Sequence, residues 1–279
     1  MVTAHVESLV SRPLIIYHGG CYDGFTAAWI VHRYYNGSVD LFPGKYGENP
    51  PDVEDRDVII VDFSYPRETM IEMRSKAKTF TCLDHHKTAE ENCRGIMGCV
   101  FDMERSGAGM AWDAFFGTRR PDWINAVEDR DLWRLRLPGA KAFHAYMASM
   151  PMTIENWDRI HASEFRDLVD LGNQVLRYIT TYIDKAVKEA RCIPIDGNLV
   201  IVLNIPYQNA SETADRLLEL YPGVDYAMGY FQRADGRWQY SLRSRSEFDV
   251  SEVAKKYGGG GHAQAAGFDT AMLLDELLT

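Results

Sequence analysis

Phe80-Thr81-Cys82-Leu83-Asp84-His85-His86-Lys87 is a short apolar run that stops in one carboxylate and two imidazoles. A run of this kind reads as a buried strand, and the residues that follow it are delivered to one end of a sheet. There Asp84, His85 and His86 offer oxygen and nitrogen donors of the types that hold hard and borderline divalent cations. Taken alone, the two histidines read equally well as polar loop residues after a strand. The pattern recurs upstream: Leu14-Ile15-Ile16-Tyr17 ends in His18, with Asp23 five residues on, and Val58-Ile59-Ile60-Val61 ends in Asp62. In an open parallel sheet ligands bind outside the carboxyl ends of the strands, so three runs that each end in a ligand-type residue converge there.

The segments between these runs supply helices. Asp23-Gly24 opens an Ala- and aromatic-rich helix over 25–35 that Asn36-Gly37 closes, and a short strand at 39–42 precedes a Gly/Pro-rich loop through Pro51. Pro66 suits a first helical position, and 68–76 forms the helix that crosses back to a strand at 79–83. Strand, helix, strand, strand, helix, strand predicts an α/β domain with a mostly parallel sheet and flanking helices. Further on, Ser106 suits the N-cap of a helix over 110–116, with N–H groups behind it able to face an anion. After Pro121, the segment 123–127 leads into Glu128-Asp129-Arg130-Asp131-Leu132-Trp133, which sets two carboxylates two residues apart beside an apolar anchor. The same cluster also reads as a solvated charged surface.

From 163 to 191 apolar residues recur at helical spacing, as one long helix or two joined near Gly172, and this segment is the expected connector between domains. A second, smaller α/β unit follows: a strand at 199–203, a helix at 211–220, and strands at 226–231 and 238–243 joined by the turn Ala234-Asp235-Gly236. Arg243 and Arg245 fall on one side of the last strand. After a helix at 251–256 come Gly258-Gly259-Gly260-Gly261-His262 and then Ala263-Gln264-Ala265-Ala266-Gly267. The glycines let backbone approach a ligand closely, and the small residues predict a helix that starts at His262 with its amides facing that ligand. The expected division is 1–150, a helical connector over 151–193, and 194–279.

Composition narrows the function. The chain has 279 residues, 46% hydrophobic and 25% charged, an ordinary globular balance. A formal net charge of -10 argues against a protein that coats long duplex nucleic acid with a broad basic face, yet permits a small anionic substrate held by a local cation and a few arginines. No apolar run approaches the roughly 18 to 20 residues of a membrane span, and the first residues lack a signal-peptide core, so a soluble, cytoplasmic protein is expected. The five cysteines contain no Cys-x-x-Cys pair, which indicates neither a disulfide framework nor a zinc ribbon. Cys82 and Cys192 read as buried small apolar groups.

With these motifs in order, the chain resembles the DHH phosphoesterase superfamily carrying its DHH-associated C-terminal domain. Asp84-His85-His86 is similar to the name-giving motif, His18 to Gly24 to the first motif, Asp62 to the second, Asp129 to the fourth, and Gly259-Gly260-Gly261-His262 to the C-terminal signature. The resemblance implies an N-terminal domain that holds two divalent ions, usually manganese with magnesium or cobalt as substitutes, and a C-terminal domain that grips substrate. It implies metal ligation by His18, Asp23, Asp62, His85 and Asp129, with Asp62 bridging, Asp84 ligating or supporting, and His86 near the phosphate. Asp131 is the fallback for Asp129. Ser106, Arg243, Arg245, Gly260, Gly261 and His262 are the expected substrate-binding residues. One departure is Cys21, where many relatives place a second aspartate; a thiol suits softer metals than manganese, so Cys21 reads better as a packed small residue.

Three functions remain open on these residues. The first is a two-metal phosphodiesterase acting on short single-stranded oligonucleotides or dinucleotides, as a 3'-5' or 5'-3' exonuclease or a nanoRNase does. The second is a phosphatase for pyrophosphate, polyphosphate or a small nucleotide, and the third a nucleotide sensor without turnover. No membrane partner is expected, and a homodimer is among the assemblies left open.

Overall fold

The computed structural model describes residues 12–206, 209–245, 248–274 and 276. It divides the chain into two units: the described part of 1–85 with 89–137 and 150–165, and 86–88 with 138–149 and the described part of 166–279. The division departs from the expected boundaries. Of the expected connector over 151–193, residues 151–165 fall in the first unit and 166–193 in the second.

The first unit is built on a five-stranded, wholly parallel sheet of order β2-β1-β3-β4-β5. Its strands are β1 (Leu14–His18), β2 (Asp40–Gly44), β3 (Asp57–Val61), β4 (Thr79–Asp84) and β5 (Cys99–Phe101). Its helices are α1 (Tyr22–Tyr34), α2 (Arg67–Lys76), α3 (Glu90–Cys93), α4 (Gly107–Phe115) and α5 (Asp122–Asp131), joined by α7 (Ile154–Ala162) after an intervening α6 (Ala140–Ala148) that belongs to the second unit. Leu14, Ile16, Val58, Ile60, Phe80 and Cys82 alternate onto one face and pack with Met70 and Met73 of α2. The opposite face is covered by α1 and α4. Helix α7 is fixed there by Trp157 Nε1, which donates to Thr26 Oγ1 at 2.9 Å, and by Asp158, which accepts from Trp29 Nε1 at 2.9 Å.

The strand order places β1 next to both β2 and β3, and the chain reverses its direction of progress across the sheet at that point. In open parallel sheets the crevice between two such strands is where ligands bind. The pairing of Tyr17 with Val61 and of Val61 with Leu83 puts His18, Asp62 and Asp84 at one edge, one residue beyond the last rung they share.

The second unit holds a six-stranded sheet of order β10-β11-β9-β8-β7-β6. Its elements are α8 (Phe165–Ala186), β6 (Arg191–Ile195), β7 (Asn198–Asn204), α9 (Ala210–Leu220), β8 (Tyr226–Gln232), β9 (Trp238–Arg243), α10 (Val250–Lys256), β10 (Gly260–His262) and β11 (Ala265–Thr270). Helix α8 runs unbroken through Gly172, because that glycine marks a close crossing and not a joint: a Cβ there would lie 1.9 Å from the Ala142 carbonyl oxygen. Cys192 is exposed, against expectation, since β6 is an edge strand. The largest correction concerns 260–270, which form a hairpin in place of a small-residue helix. Gly261 has φ +139°, and a Cβ on Gly259 would meet the Gly267 carbonyl oxygen at 2.1 Å, so the small residues serve close strand packing. No helix among the described residues is long and apolar enough to cross a membrane.

Candidate metal centre

Five side chains of the first unit meet at the carboxyl edge of the sheet. His18 ends β1, Asp62 follows β3, and His85 follows β4; Asp23 comes from the first turn of α1, and Asp131 ends α5. Asp62 lies between the others. Its Oδ1 is 2.8 Å from His85 Nε2 and its Oδ2 is 3.5 Å from His18 Nδ1. The same His85 nitrogen is 3.8 Å from Asp23 Oδ2 and 3.5 Å from Asp131 Oδ2.

The backbone is shaped to allow this convergence. Asp62 has φ +56°, a left-handed conformation unusual for a non-glycine residue, and its amide donates to the Leu83 carbonyl at 2.8 Å. Such strain persists where the surroundings enforce it and clusters at functional sites. Two glycines make room: a Cβ on Gly107 would lie 2.4 Å from Asp62 Cβ, and one on Gly24 would lie 2.7 Å from the His18 carbonyl oxygen. Asp23 is held by the N-terminus of α4, where the amides of Gly107 and Ala108 donate to its two oxygens at 2.6 and 3.1 Å. Those are the N–H groups expected to face an anion, and the anion is the chain's own aspartate. Ser106 caps the helix by accepting from the Gly109 amide at 3.1 Å and is 0% exposed, so it positions Asp23 and presents no surface to a substrate. Asp84 accepts from the His85 amide at 2.7 Å, a supporting role that fixes the turn carrying His85.

Asp131, and not Asp129, joins the cluster. Asp129 spends both oxygens on the Arg136 and Leu137 amides, at 3.0 and 3.1 Å. Residues two apart on a helix point about 200° away from each other, so only one of the pair faces inward. Cys21, which carries no strong signal in the sequence, has its sulfur within 4.8 Å of donor atoms of His18 and Asp62. Burial and the nearby Asp62, Asp131 and Asp23 push its thiol up, which keeps it protonated and suits packing beside a hard-donor centre.

The donor set fits divalent cations. His18 and Asp62 lie in one group with atoms within 4.8 Å, beside the Cys21 sulfur, and Asp23, His85 and Asp131 form a second. Asp23 and Asp62 are 2% and 0% exposed, and buried like charges repel strongly unless a cation sits among them. The protonation of the metal-free protein reflects this. Burial and the neighbouring Asp131 and Asp62 push the Asp23 carboxyl well up, against the hydrogen bonds from Ser106 and Ala108. Burial opposes a charge on His85, yet its bond to Asp62 and the fields of Asp131, Asp62 and Asp84 prevail and push it up to about 9.

A stability prediction follows. His85 in the native metal-free state titrates near 9, above its ordinary 6.5, so between those values the native state binds more protons than the unfolded one. Stability is then full below about pH 6.5 and is lost as pH rises toward 9, by up to about 3 kcal/mol from this group. Asp23 acts in the same direction over its own range. Chemical denaturation of chelator-treated protein between pH 6 and 9 tests this, and a flat or rising profile would show that His85 carries no extra proton.

In the second unit, the residues expected to bind substrate divide. His86 and His262 stack, with ring centroids 5.1 Å apart, and Lys87 Nζ pairs with Asp249 Oδ2 at 2.5 Å. Arg243 donates to the Leu242 carbonyl at 2.7 Å and to Ser211 Oγ at 2.5 Å. Arg245 lies beyond the end of β9, so the strand alternation that would align it with Arg243 no longer applies. It is bound to Asp215, which also accepts from Lys141 at 2.8 Å, so its fork ties down α9. Gly260 and Gly261 form a strand paired with Gly267 and Ala266.

Residues 197–278 match the DHHA1 domain. Over 280 aligned residues the chain is 29% identical to an uncharacterized protein, R106, of Acanthamoeba polyphaga mimivirus, covering 91% of this chain and 66% of that relative, just under two thirds of its length. Among solved structures, it is similar to PggH, a pGpG-specific phosphodiesterase of Vibrio cholerae, at a TM-score of 0.54 and 16% identity over 94% of both chains. It is also similar to RecJ of Thermus thermophilus in complex with Mn2+, at a TM-score of 0.51 and 15% identity, covering 92% of this chain and 49% of that one.

Proposed function

Because the chain joins a parallel sheet of the DHH type to a DHHA1 domain, we propose that it is a metal-dependent phosphodiesterase acting on dinucleotides or short single-stranded oligonucleotides. The observation that carries this is Asp62, a strained residue whose two oxygens face two separate donor groups. His18, Asp23, Asp62, His85 and Asp131 would hold manganese or a similar hard divalent ion. Such cations, when bound, would polarise phosphoryl oxygens, lower the pKa of water and neutralise a leaving oxygen.

The chain's own residues do the positioning. Gly107 and Ala108 amides immobilise Asp23, Asp84 fixes the turn behind His85, and His85 would have to be neutral to serve as a ligand. Arg243 and His262, in the DHHA1 unit, bind the part of the substrate that does not react. Contacts remote from the reacting phosphorus raise the rate only by positioning it, so their loss falls on nucleotide substrates and spares a generic ester.

His262→Ala is therefore expected to lower kcat/KM on dinucleotides and five-nucleotide RNA or DNA by about 10- to 1000-fold, the loss of about 1.4 to 4 kcal/mol of charge-assisted contacts. Hydrolysis of bis-p-nitrophenyl phosphate should change little. The wild-type protein with Mn2+ should be assayed on linear dinucleotides, cyclic dinucleotides, five- and twenty-nucleotide strands and pyrophosphate. Preference for pyrophosphate would replace the phosphodiesterase assignment by a phosphatase, and strong, processive preference for the twenty-nucleotide strand would overturn the short-substrate assignment.

A further inference from the structure

Among the described residues, the first unit also brings three thiols together. Cys82 on β4, Cys93 at the end of α3 and Cys99 at the start of β5 have their sulfur atoms within 4.8 Å of one another, and the Cys82 and Cys93 sulfurs are 4.0 Å apart. All three are free; Cys82 is 0% and Cys93 4% exposed, and Cys99 is partly buried. Packing alone calls for apolar volume at these positions and gives no reason for three sulfurs to face one another.

The loop that carries Cys93 and Cys99 is built to present them. Cys82 pairs with Cys99 across the β4–β5 ladder, and its amide donates to the Gly98 carbonyl at 2.9 Å. Gly98 has φ +95°, and a Cβ there would lie 2.1 Å from the Phe80 carbonyl oxygen, so only glycine lets the loop come this close to β4. The Ile96 amide donates to Cys93 and the Cys99 amide to Ile96, at 3.2 and 3.1 Å, closing two tight turns. Arg67 of α2 holds the other side by donating to the carbonyls of Glu91 and Arg94 at 3.0 and 2.5 Å. The loop is thus fixed by backbone bonds that leave the Cys93 and Cys99 sulfurs facing Cys82, whose own Sγ also donates to the Phe63 carbonyl at 3.5 Å.

We propose that Cys82, Cys93 and Cys99 form a thiolate metal site for one thiophilic d10 cation, of the Zn2+ or Cu+ class, chemically separate from the oxygen-rich centre. Thiolates bound to zinc at about 2.3 Å lie about 4 Å from one another, which is the spacing seen between Cys82 and Cys93. Soft sulfur selects this class over manganese or magnesium, so the two sites sort ions by donor type. On binding, S–H bonds are replaced by S–metal bonds, the protons pass to solvent, and no sulfur changes oxidation state. The partly buried Cys99 gives the side from which an ion enters.

The test uses the full-length protein under reductant, with excess Mg2+ present to occupy the oxygen-rich centre, and Cd2+ as the probe. One equivalent of Cd2+ per chain is expected to produce a sulfur-to-metal charge-transfer band in the ultraviolet. Cys93→Ser and Cys99→Ser should each weaken Cd2+ binding by about 100-fold or more, while Cys21→Ser and Cys192→Ser keep the band. Far-ultraviolet circular dichroism of each variant checks folding. On the wild-type protein, Cd2+ should slow alkylation of Cys99 by iodoacetamide by about tenfold or more, measured by mass spectrometry. The site is overturned by absence of the band in wild type, by a band that persists in both Cys93→Ser and Cys99→Ser or vanishes in Cys21→Ser, or by unchanged Cys99 alkylation.

Discussion

Asp62→Asn is expected to abolish turnover, by at least about 100-fold, while leaving the fold in place. The fold survives because asparagine adopts the left-handed backbone that Asp62 occupies at φ +56° more readily than almost any other side chain, and its amide preserves shape and volume. The chemistry does not survive, since a neutral amide brings no charge to the point between His18 and His85 and its nitrogen cannot accept from either. The variant should also lose the partner that keeps His85 protonated, so the pH dependence of metal-free stability should flatten with it. Steady-state rates with saturating Mn2+, beside thermal unfolding followed by circular dichroism, measure both halves. Wild-type rates in a folded Asp62→Asn protein would remove the basis for the shared-carboxylate centre.

A second pair of variants separates Asp129, which the family resemblance selects as the metal ligand, from Asp131, its fallback. Asp131→Asn should reduce activity by about 100-fold with little effect on stability, because its carboxylate lies 3.5 Å from His85 Nε2 and at a partly exposed edge. Asp129→Asn should do the reverse. Its carboxylate accepts the Arg136 and Leu137 amides, and it closes a loop in which Trp133 and Leu135 both have φ above +50°. Losing the charge weakens these bonds and lets the strained loop relax, at a loss of about 1 to 3 kcal/mol. Activity measured well below the melting temperature should remain. Titration calorimetry with Mn2+ sharpens the contrast: weakened binding in Asp129→Asn but not in Asp131→Asn would exchange the two roles.

The strand ends were legible because each ends an apolar run abruptly, and a parallel sheet then fixes where His18, Asp62 and His85 must meet. Helix α4 was legible from Ser106, although the target of its amides was not, since nothing local in residues 106–108 points to Asp23 eighty-odd residues earlier. The resemblance pointed to Asp129 where the structure brings in Asp131, because both orientations satisfy the local pattern and the choice is made by how Trp123, Ile124 and Val127 seat α5 in the core. The glycine-rich tract misled for a different reason. Small residues carry no apolar period, and the pairing partner that makes Ala265–Thr270 a strand is β9, more than twenty residues away.

The order of strands in the first sheet also governs how the centre comes into being during folding. β1 lies between β2 and β3, so His18 and Asp62 become neighbours only after the chain has passed from β1 to β2 and back across to β3. Pairings between distant segments form slowly, because loop-closure entropy must be overcome before contacts reward it. An unfolded chain accordingly presents no preassembled chelate, and divalent ions held at the proposed centre would act on the native state by mass action, adding about 2.7 kcal/mol at a free concentration one hundred times the dissociation constant. Refolding in chelator should then proceed at nearly the rate seen with Mn2+, while unfolding is slower when the ion is present, so that the ion determines how long the sheet endures and not how fast it is made.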